Sequence, residues 1–279
     1  MIDITKVKWI VNRRMFEYEK YSNLPDIIKS FGMECKVIHN IPQHIDNPYD
    51  DFFSIKDCVI PYLTINNARR LNAYYGMYMR ENNLLYHTYT SLMGLHPSKF
   101  LNDDFIMTTF YNFKRTFGQW YDRFNTDVLF VRPDSGIKTF TGTSILYNNC
   151  ESELRAMNDK VNDDSLIHIG SCKKFSDETR FIICGDTVVD GSRYSTDSGN
   201  RKVEDTNYPI ELYDFAVNIA KCAWKPDEIF TLDVCMTNDG PRIVELNSFS
   251  CAGWYAADPY KIVKAVSEHT LKLFNEQYN

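Results

Sequence analysis

Residues 230–247 read Phe-Thr-Leu-Asp-Val-Cys-Met-Thr-Asn-Asp-Gly-Pro-Arg-Ile-Val-Glu-Leu-Asn, two apolar runs around an Asn-Asp-Gly turn, and each run carries one acid between aliphatic neighbours. In a strand, successive side chains point to opposite faces, so each acid faces away from the residues that flank it. With a three-residue loop at 238–240, Asp233 comes opposite Glu245, and Asn247 shares the face of Glu245. Carboxylates directly opposite one another repel unless a cation lies between them, and two carboxylates with an amide oxygen form the hard donor set that suits Mg²⁺. Asp233, Glu245 and Asn247 are therefore candidate metal ligands. A two-residue Asp-Gly turn would pair Asp233 with position 246 and break up the group, leaving surface acids on an ordinary hairpin.

Two upstream segments carry cations in suggestive settings. Leu129-Phe-Val-Arg-Pro-Asp-Ser-Gly-Ile-Lys-Thr-Phe-Thr-Gly142 is an apolar strand ending in Arg132, followed by a loop with two glycines and Lys138. Glycine lets backbone N–H groups approach phosphate oxygens, Arg132 offers a planar fork and Lys138 a point charge. An exposed basic hairpin would have the same composition, and neither a Walker A loop nor G-x-G-x-x-G occurs in the chain. Further on, Glu178-Thr-Arg180 opens an apolar strand, and Gly185-Asp186 predicts a tight hairpin with partner strand 187–193. Continuous pairing around that turn puts Arg193 opposite Glu178, so that Glu178, Arg180 and Arg193 share one charged face. A solvated salt-bridge ladder is the alternative reading of the same pattern.

The rest of the chain supplies the frame. Strands are predicted at 34–39 and 57–63, with a helix from about Asn66 to Met79, which together make a small α/β unit. A helix is predicted over 113–123, then strands at 127–131, 139–146, 166–169, 178–184 and 187–193 in a mostly antiparallel sheet. Further helices are expected from Pro209 to about Ala223 and after Asp258-Pro259, the latter a cap and first-turn pair. A linker between Leu84 and Pro97 would divide the chain into domains 1–90 and 91–279.

Composition narrows the functional classes. A net charge of −6 disfavours wholesale electrostatic binding to duplex nucleic acid. The eight cysteines form no C-x-x-C pair, which suits reduced thiols and a cytoplasmic location. The charged N-terminal residues and the lack of a long apolar stretch argue against secretion and against a membrane partner. No H-E-x-x-H, G-x-S-x-G or zinc-like spacing appears, so no side-chain nucleophile stands out.

Taken in order, strand-Arg132, glycine loop, Lys138, then Glu178-x-Arg180, then Asp233 followed by Glu245-x-Asn247, the chain resembles the ATP-grasp superfamily. Through Val131–Lys138 and Glu178–Arg180 it is similar to a bacterial and phage clade marked by one arginine and two lysines, and the resemblance covers about residues 126–265. It implies an α+β ATP-grasp fold, with two α+β subdomains sandwiching ATP, preceded by a small α/β N-terminal domain. It further implies ATP contacts at Arg132, Lys138, Ile167, His168, Ile169, Lys173, Glu178 and Arg180, with Lys173 or Lys174 beside an adenine hinge. Mg²⁺ would lie on Asp233, Glu245 and Asn247, and Arg180, Arg193 and Lys138 would be the catalytic cations near the phosphates. Arg132 departs from the lysine that many ATP-grasp enzymes carry there. The implied activity is ATP- and Mg²⁺-dependent ligation, a carboxylate being activated as an acyl phosphate for attack by an amine or other nucleophile, with a small molecule or peptide as substrate. Ligation or repair of RNA ends is the second reading, although K-x-[DN]-G is missing. A non-catalytic nucleotide-binding module is the third.

Overall fold

The structure is a computed structural model that describes residues 2–39, 52–54, 56–64, 67, 95–134, 139–196 and 201–278. The predicted helix over 66–79, most of the expected linker and Lys138 lie outside the described residues. In chain order the elements are β1 (Val7–Asn12), α1 (Leu24–Ser30), β2 (Glu34–Ile38), β3 (Cys58–Tyr62), β4 (Phe105–Thr109), α2 (Phe110–Phe124), β5 (Val128–Pro133), β6 (Thr143–Leu146), α3 (Cys150–Met157), β7 (Leu166–Ser171), β8 (Ser176–Cys184), β9 (Thr187–Thr196), β10 (Arg201–Asp205), α4 (Ile210–Ala220), β11 (Ile229–Thr237), β12 (Gly240–Ser248) and α5 (Pro259–Tyr278). They fall into two compact units, one of residues 1–81 with 175–279 and the other of residues 82–174. The strands beyond residue 126 thus belong to two sheets, where the sequence suggested one.

The first unit holds a parallel sheet in the order β2-β1-β3 and an antiparallel sheet in the order β10-β9-β8-β11-β12. β1 is central, and its two faces enter different cores: Val7, Trp9 and Val11 on one side, Ile10 on the other. A strand buried on both faces loses the apolar/polar alternation that marks a half-exposed one, which is why Val-Lys-Trp-Ile-Val did not stand out. The larger core joins Trp9, Ile60 and Tyr62 to Ile182 and Ile229 of the antiparallel sheet and to Ile262, Val263 and Val266 of α5. Trp9 Nε1 donates to Ser267 Oγ at 3.0 Å within it. Helix α5 begins as predicted, with Asp258 Oδ1 accepting from the Tyr260 N–H at 2.8 Å.

Two hairpins of the antiparallel sheet depart from simple register. β11 and β12 are joined by a two-residue turn, Asn238-Asp239, since Thr237 pairs with Gly240. That turn would bring Asp233 opposite Val244, but the register shifts between Val234 and Asp233, Val244 is left over as a bulge, and Asp233 pairs with Glu245. In the β8–β9 hairpin Ile183 pairs with Val188 but Ile182 pairs with Asp190, so Val189 is the extra residue. Arg193 therefore lies opposite Thr179 rather than Glu178. A second shift pairs Glu178 with Ser195 and leaves Tyr194 between.

The second unit is one antiparallel sheet in the order β4-β7-β5-β6 with α2 and α3. Its core contains Phe110, Phe113 and Tyr121 of α2 with Leu129, Val131, Ile167 and Ile169 of the two central strands. All eight cysteines are free thiols, with only Cys172 exposed. No helix among the described residues is long and apolar enough to cross a membrane.

Gly191 lies opposite Phe181, and a Cβ there would come within 2.4 Å of Phe181 Cδ1. The Phe181 ring is wholly buried and packed edge-on against Tyr208 and Tyr213, so it has nowhere to go. Gly191→Ala is expected to cost about 1–3 kcal/mol through overpacking, read as a lower midpoint in urea denaturation.

Candidate functional site

β11 runs between β8 and β12, so Asp233 has a cross-strand partner on each side: Arg180 on β8 and Glu245 on β12. The cation separating the two carboxylates is therefore supplied by the protein itself. Arg180 Nε donates to Asp233 Oδ1 and Nη2 to Oδ2, both at 2.7 Å, a bidentate fork. Nη2 is also 4.0 Å from Glu245 Oε1, and Nη1 donates to the Gly253 carbonyl at 3.1 Å. Asp233 has no solvent exposure and Arg180 only 8%. Burial works against the Arg180 cation, but the charge and hydrogen bonds of Asp233 outweigh it and hold the guanidinium pKa well above its ordinary value.

Asn247 completes the group from the neighbouring position on β12. Its Nδ2 donates to Glu245 Oε1 at 2.8 Å and lies 3.4 Å from Asp233 Oδ2. The same amide, turned about its last torsion, offers its oxygen to a cation. Glu178 enters two residues before Arg180 on the same face, and burial pushes its carboxyl up to about 7. The Tyr194 hydroxyl, donating at 2.5 Å to Glu178 Oε1, works in the other direction, and the charges of Asp233 and Glu245 add to the rise.

Tyr194 and Tyr255 are the functional-site residues that sequence reasoning missed. Their rings stack at 4.7 Å and 18°, and the Arg180 guanidinium carbon lies 5.6 Å from one centroid and 5.2 Å from the other, within cation–π range. Tyr194 reaches this face because of the bulges in β9, which put it where unbroken pairing would have put Arg193. Tyr255 has φ +54°, a left-handed conformation uncommon for a bulky residue, so the surrounding loop holds it against its preference. Neither a bulge nor a left-handed tyrosine has a dependable signature in a single sequence.

The remaining expected residues are placed as follows. Arg193 does not join the cluster. Its Nη1 donates to Asp177 Oδ1 and its Nη2 to Asp205 Oδ2, both at 2.9 Å, which ties β8, β9 and β10 together on the opposite face. In the second unit Arg132 is buried in β5 opposite His168 of β7. His168 Nε2 is 2.5 Å from Asp134 Oδ1, and its ring stacks on Phe105 at 4.8 Å. Ile167 and Ile169 are wholly buried in that unit's hydrophobic core, in a strand paired on both edges, so their side chains pack the sheet and line no pocket. Lys173 Nζ lies 3.9 Å from Asp103 Oδ1, and Lys174 is exposed.

The architecture is that of the ATP-grasp fold, α+β in composition. It is similar to D-cycloserine synthetase DcsG, with a TM-score of 0.60 at 10% identity, covering 95% of this chain and 99% of that one. It is similar also to the ATP-grasp ligase PsnB in complex with minimal precursor, Mg and ADP (TM-score 0.56, 13% identity, 96% and 99% covered). D-alanine–D-alanine ligase from Bacillus anthracis matches with a TM-score of 0.52 at 13% identity, over 97% and 99% of the two chains. Residues 95–266, more than half of the sequence, match a family of the ATP-grasp domain, the third family of its clade, and the chain belongs to that ATP-grasp family. No curated protein matches it in sequence.

Removing one partner of a buried pair leaves the other charge without compensation. Arg180→Leu is expected to destabilise the fold by about 3–5 kcal/mol in urea titration at neutral pH, and Arg180→Leu with Asp233→Leu to recover at least half of that loss.

Proposed function

We propose that this chain is an ATP- and Mg²⁺-dependent ligase whose metal site is Asp233, Glu245 and Asn247. The observation that supports it is their convergence on one face around a protein-borne cation, reached only through a bulge at Val244. Three side chains carrying hard oxygen donors, two of them anionic, lie within hydrogen-bonding distance of one another, and this donor set fits Mg²⁺. When bound there, the metal would supply positive charge against the phosphoryl oxygens of a nucleotide.

In this reading the chain's own residues share the remaining work. Asp233 keeps the Arg180 fork oriented, and Arg180, stacked by Tyr194 and Tyr255, presents a fixed positive charge to phosphate oxygens, as do Arg132, Lys138 and Lys173. The reaction is one in which the carboxylate of a donor substrate takes the γ-phosphoryl group of ATP, and the resulting acyl phosphate is captured by an amine or other nucleophile. Such phosphoryl transfer relies on positioning and charge neutralisation, so a site built from acids, arginine and tyrosine needs no side-chain nucleophile. Several fold neighbours are described in complex with precursor peptides, PsnB and the macrocyclase MdnC from Microcystis aeruginosa MRC among them, which supports a peptide or peptide-like substrate.

Calorimetric titration with AMPPNP in the presence and absence of Mg²⁺ tests the assignment. Binding is expected to require Mg²⁺ and to weaken roughly tenfold or more in Glu245→Gln, which removes one anionic ligand. Equal affinity in wild type and variant, or no binding under either condition, would overturn it.

A further inference from the structure

The third hydrogen bond of Arg180, to the Gly253 carbonyl, is supported from the parallel sheet of the same unit. Tyr62, the last residue of β3, is fully buried, and its hydroxyl donates to the Ala252 carbonyl at 3.0 Å. Tyr21, in the segment before α1, lies with its hydroxyl 2.9 Å from that of Tyr62 and accepts from the Trp254 N–H at 3.0 Å. A phenol has one proton, and Tyr62 spends its own on Ala252, so Tyr21 donates to Tyr62. The two hydroxyls thus grip the backbone on either side of Gly253 and leave the Gly253 carbonyl turned towards Arg180 Nη1 at 3.1 Å.

Nothing else on this loop provides the same constraint. The Trp254 indole is stacked on Tyr21 at 4.8 Å and on Phe249 at 5.7 Å, but its own N–H has no partner among the described residues. Ring packing tolerates sliding, whereas hydrogen bonds to the peptides flanking Gly253 set the direction of its carbonyl. The bidentate contact with Asp233 leaves the guanidinium free to rock with the Asp233 carboxylate about its terminal torsion, and a third, divergent bond removes that freedom. Burial pushes the Tyr21 phenol up to about 12 and Tyr62 higher still, so both remain protonated donors at ordinary pH.

We propose that Tyr21 and Tyr62 are positioning residues for Arg180, acting through the backbone of Ala252–Trp254. The inference deepens the ligase reading above and rests on it for the purpose Arg180 serves.

The direct test is the side-chain Nε–H resonance of Arg180 in protein labelled with ¹⁵N-arginine, assigned by its loss in Arg180→Lys. Tyr62→Phe keeps the ring and removes the hydroxyl, and Tyr21→Phe does the same one link away. Ser267→Ala is the control, because it deletes another buried hydrogen bond of the same core, that of Trp9, away from the path to Arg180. Both tyrosine variants are expected to speed solvent exchange of the Arg180 Nε–H by about fivefold or more, while Ser267→Ala stays within about twofold of wild type. Exchange within about twofold of wild type in Tyr21→Phe and in whichever of the two variants folds, or an equal acceleration in Ser267→Ala, would overturn the proposal. The measurement needs no nucleotide. Failure of the ligase reading shows separately, as absence of AMPPNP binding by the wild-type protein.

Discussion

Asp233 sits in the middle of three hydrogen-bonded strands with a cation opposite on one side and a second carboxylate opposite on the other. A buried acid beside another acid is sustainable only with a counter-charge at hydrogen-bonding distance, and Arg180 provides it through a paired 2.7 Å contact. This requirement disciplines the whole antiparallel sheet. A slip of one residue between β8 and β11 would turn Arg180 and Asp233 to different faces and strand two charges in an apolar interior. The pair is thus better understood as a device for register and charge balance than as a source of net stability, since apolar side chains of similar volume often serve stability equally well.

Three extra residues, Val189, Tyr194 and Val244, are what allow that face to be assembled from strands that are otherwise regular. Each bulge moves the downstream part of its strand by one position, and each sits just before a residue that matters. Val244 delivers Glu245 and Asn247 to Asp233. The irregularities in β9 take Arg193 away from the cluster and bring Tyr194 in. Bulges recur beside functional sites because they re-aim a side chain without breaking the sheet.

What was legible in the sequence, and what was not, follows from this geometry. The pairing of Asp233 with Glu245 was deduced from a three-residue loop, whereas the chain reaches the same pairing by a two-residue turn and a bulge. The deduction held because the two deviations cancel. For Arg193 nothing cancelled, and a period-two argument carried across the Val189 bulge put it on the wrong face. The order of acids and cations along the chain was enough to reveal the resemblance to ATP-grasp proteins, because that order survives whatever bulges lie between. Strand β1 went unread because burial on both faces erases alternation, and Tyr21 and Tyr62 carry no motif at all. Their importance lies in where their hydroxyls meet a backbone nearly two hundred residues away in sequence.

The core shared by Trp9, Tyr62, Ile182 and Val266 has a consequence for how the protein is made. A ribosome releases β1 long before it has synthesised α5, and during that interval the tryptophan and its aliphatic neighbours have no surface to bury against. Domains whose core closes locally can fold while translation continues, but this unit must wait for its last helix. The nascent N-terminal segment is therefore exposed apolar chain throughout elongation, a substrate for chaperones on the ribosome, and its yield in the cell should depend on them more than on the stability of the finished fold.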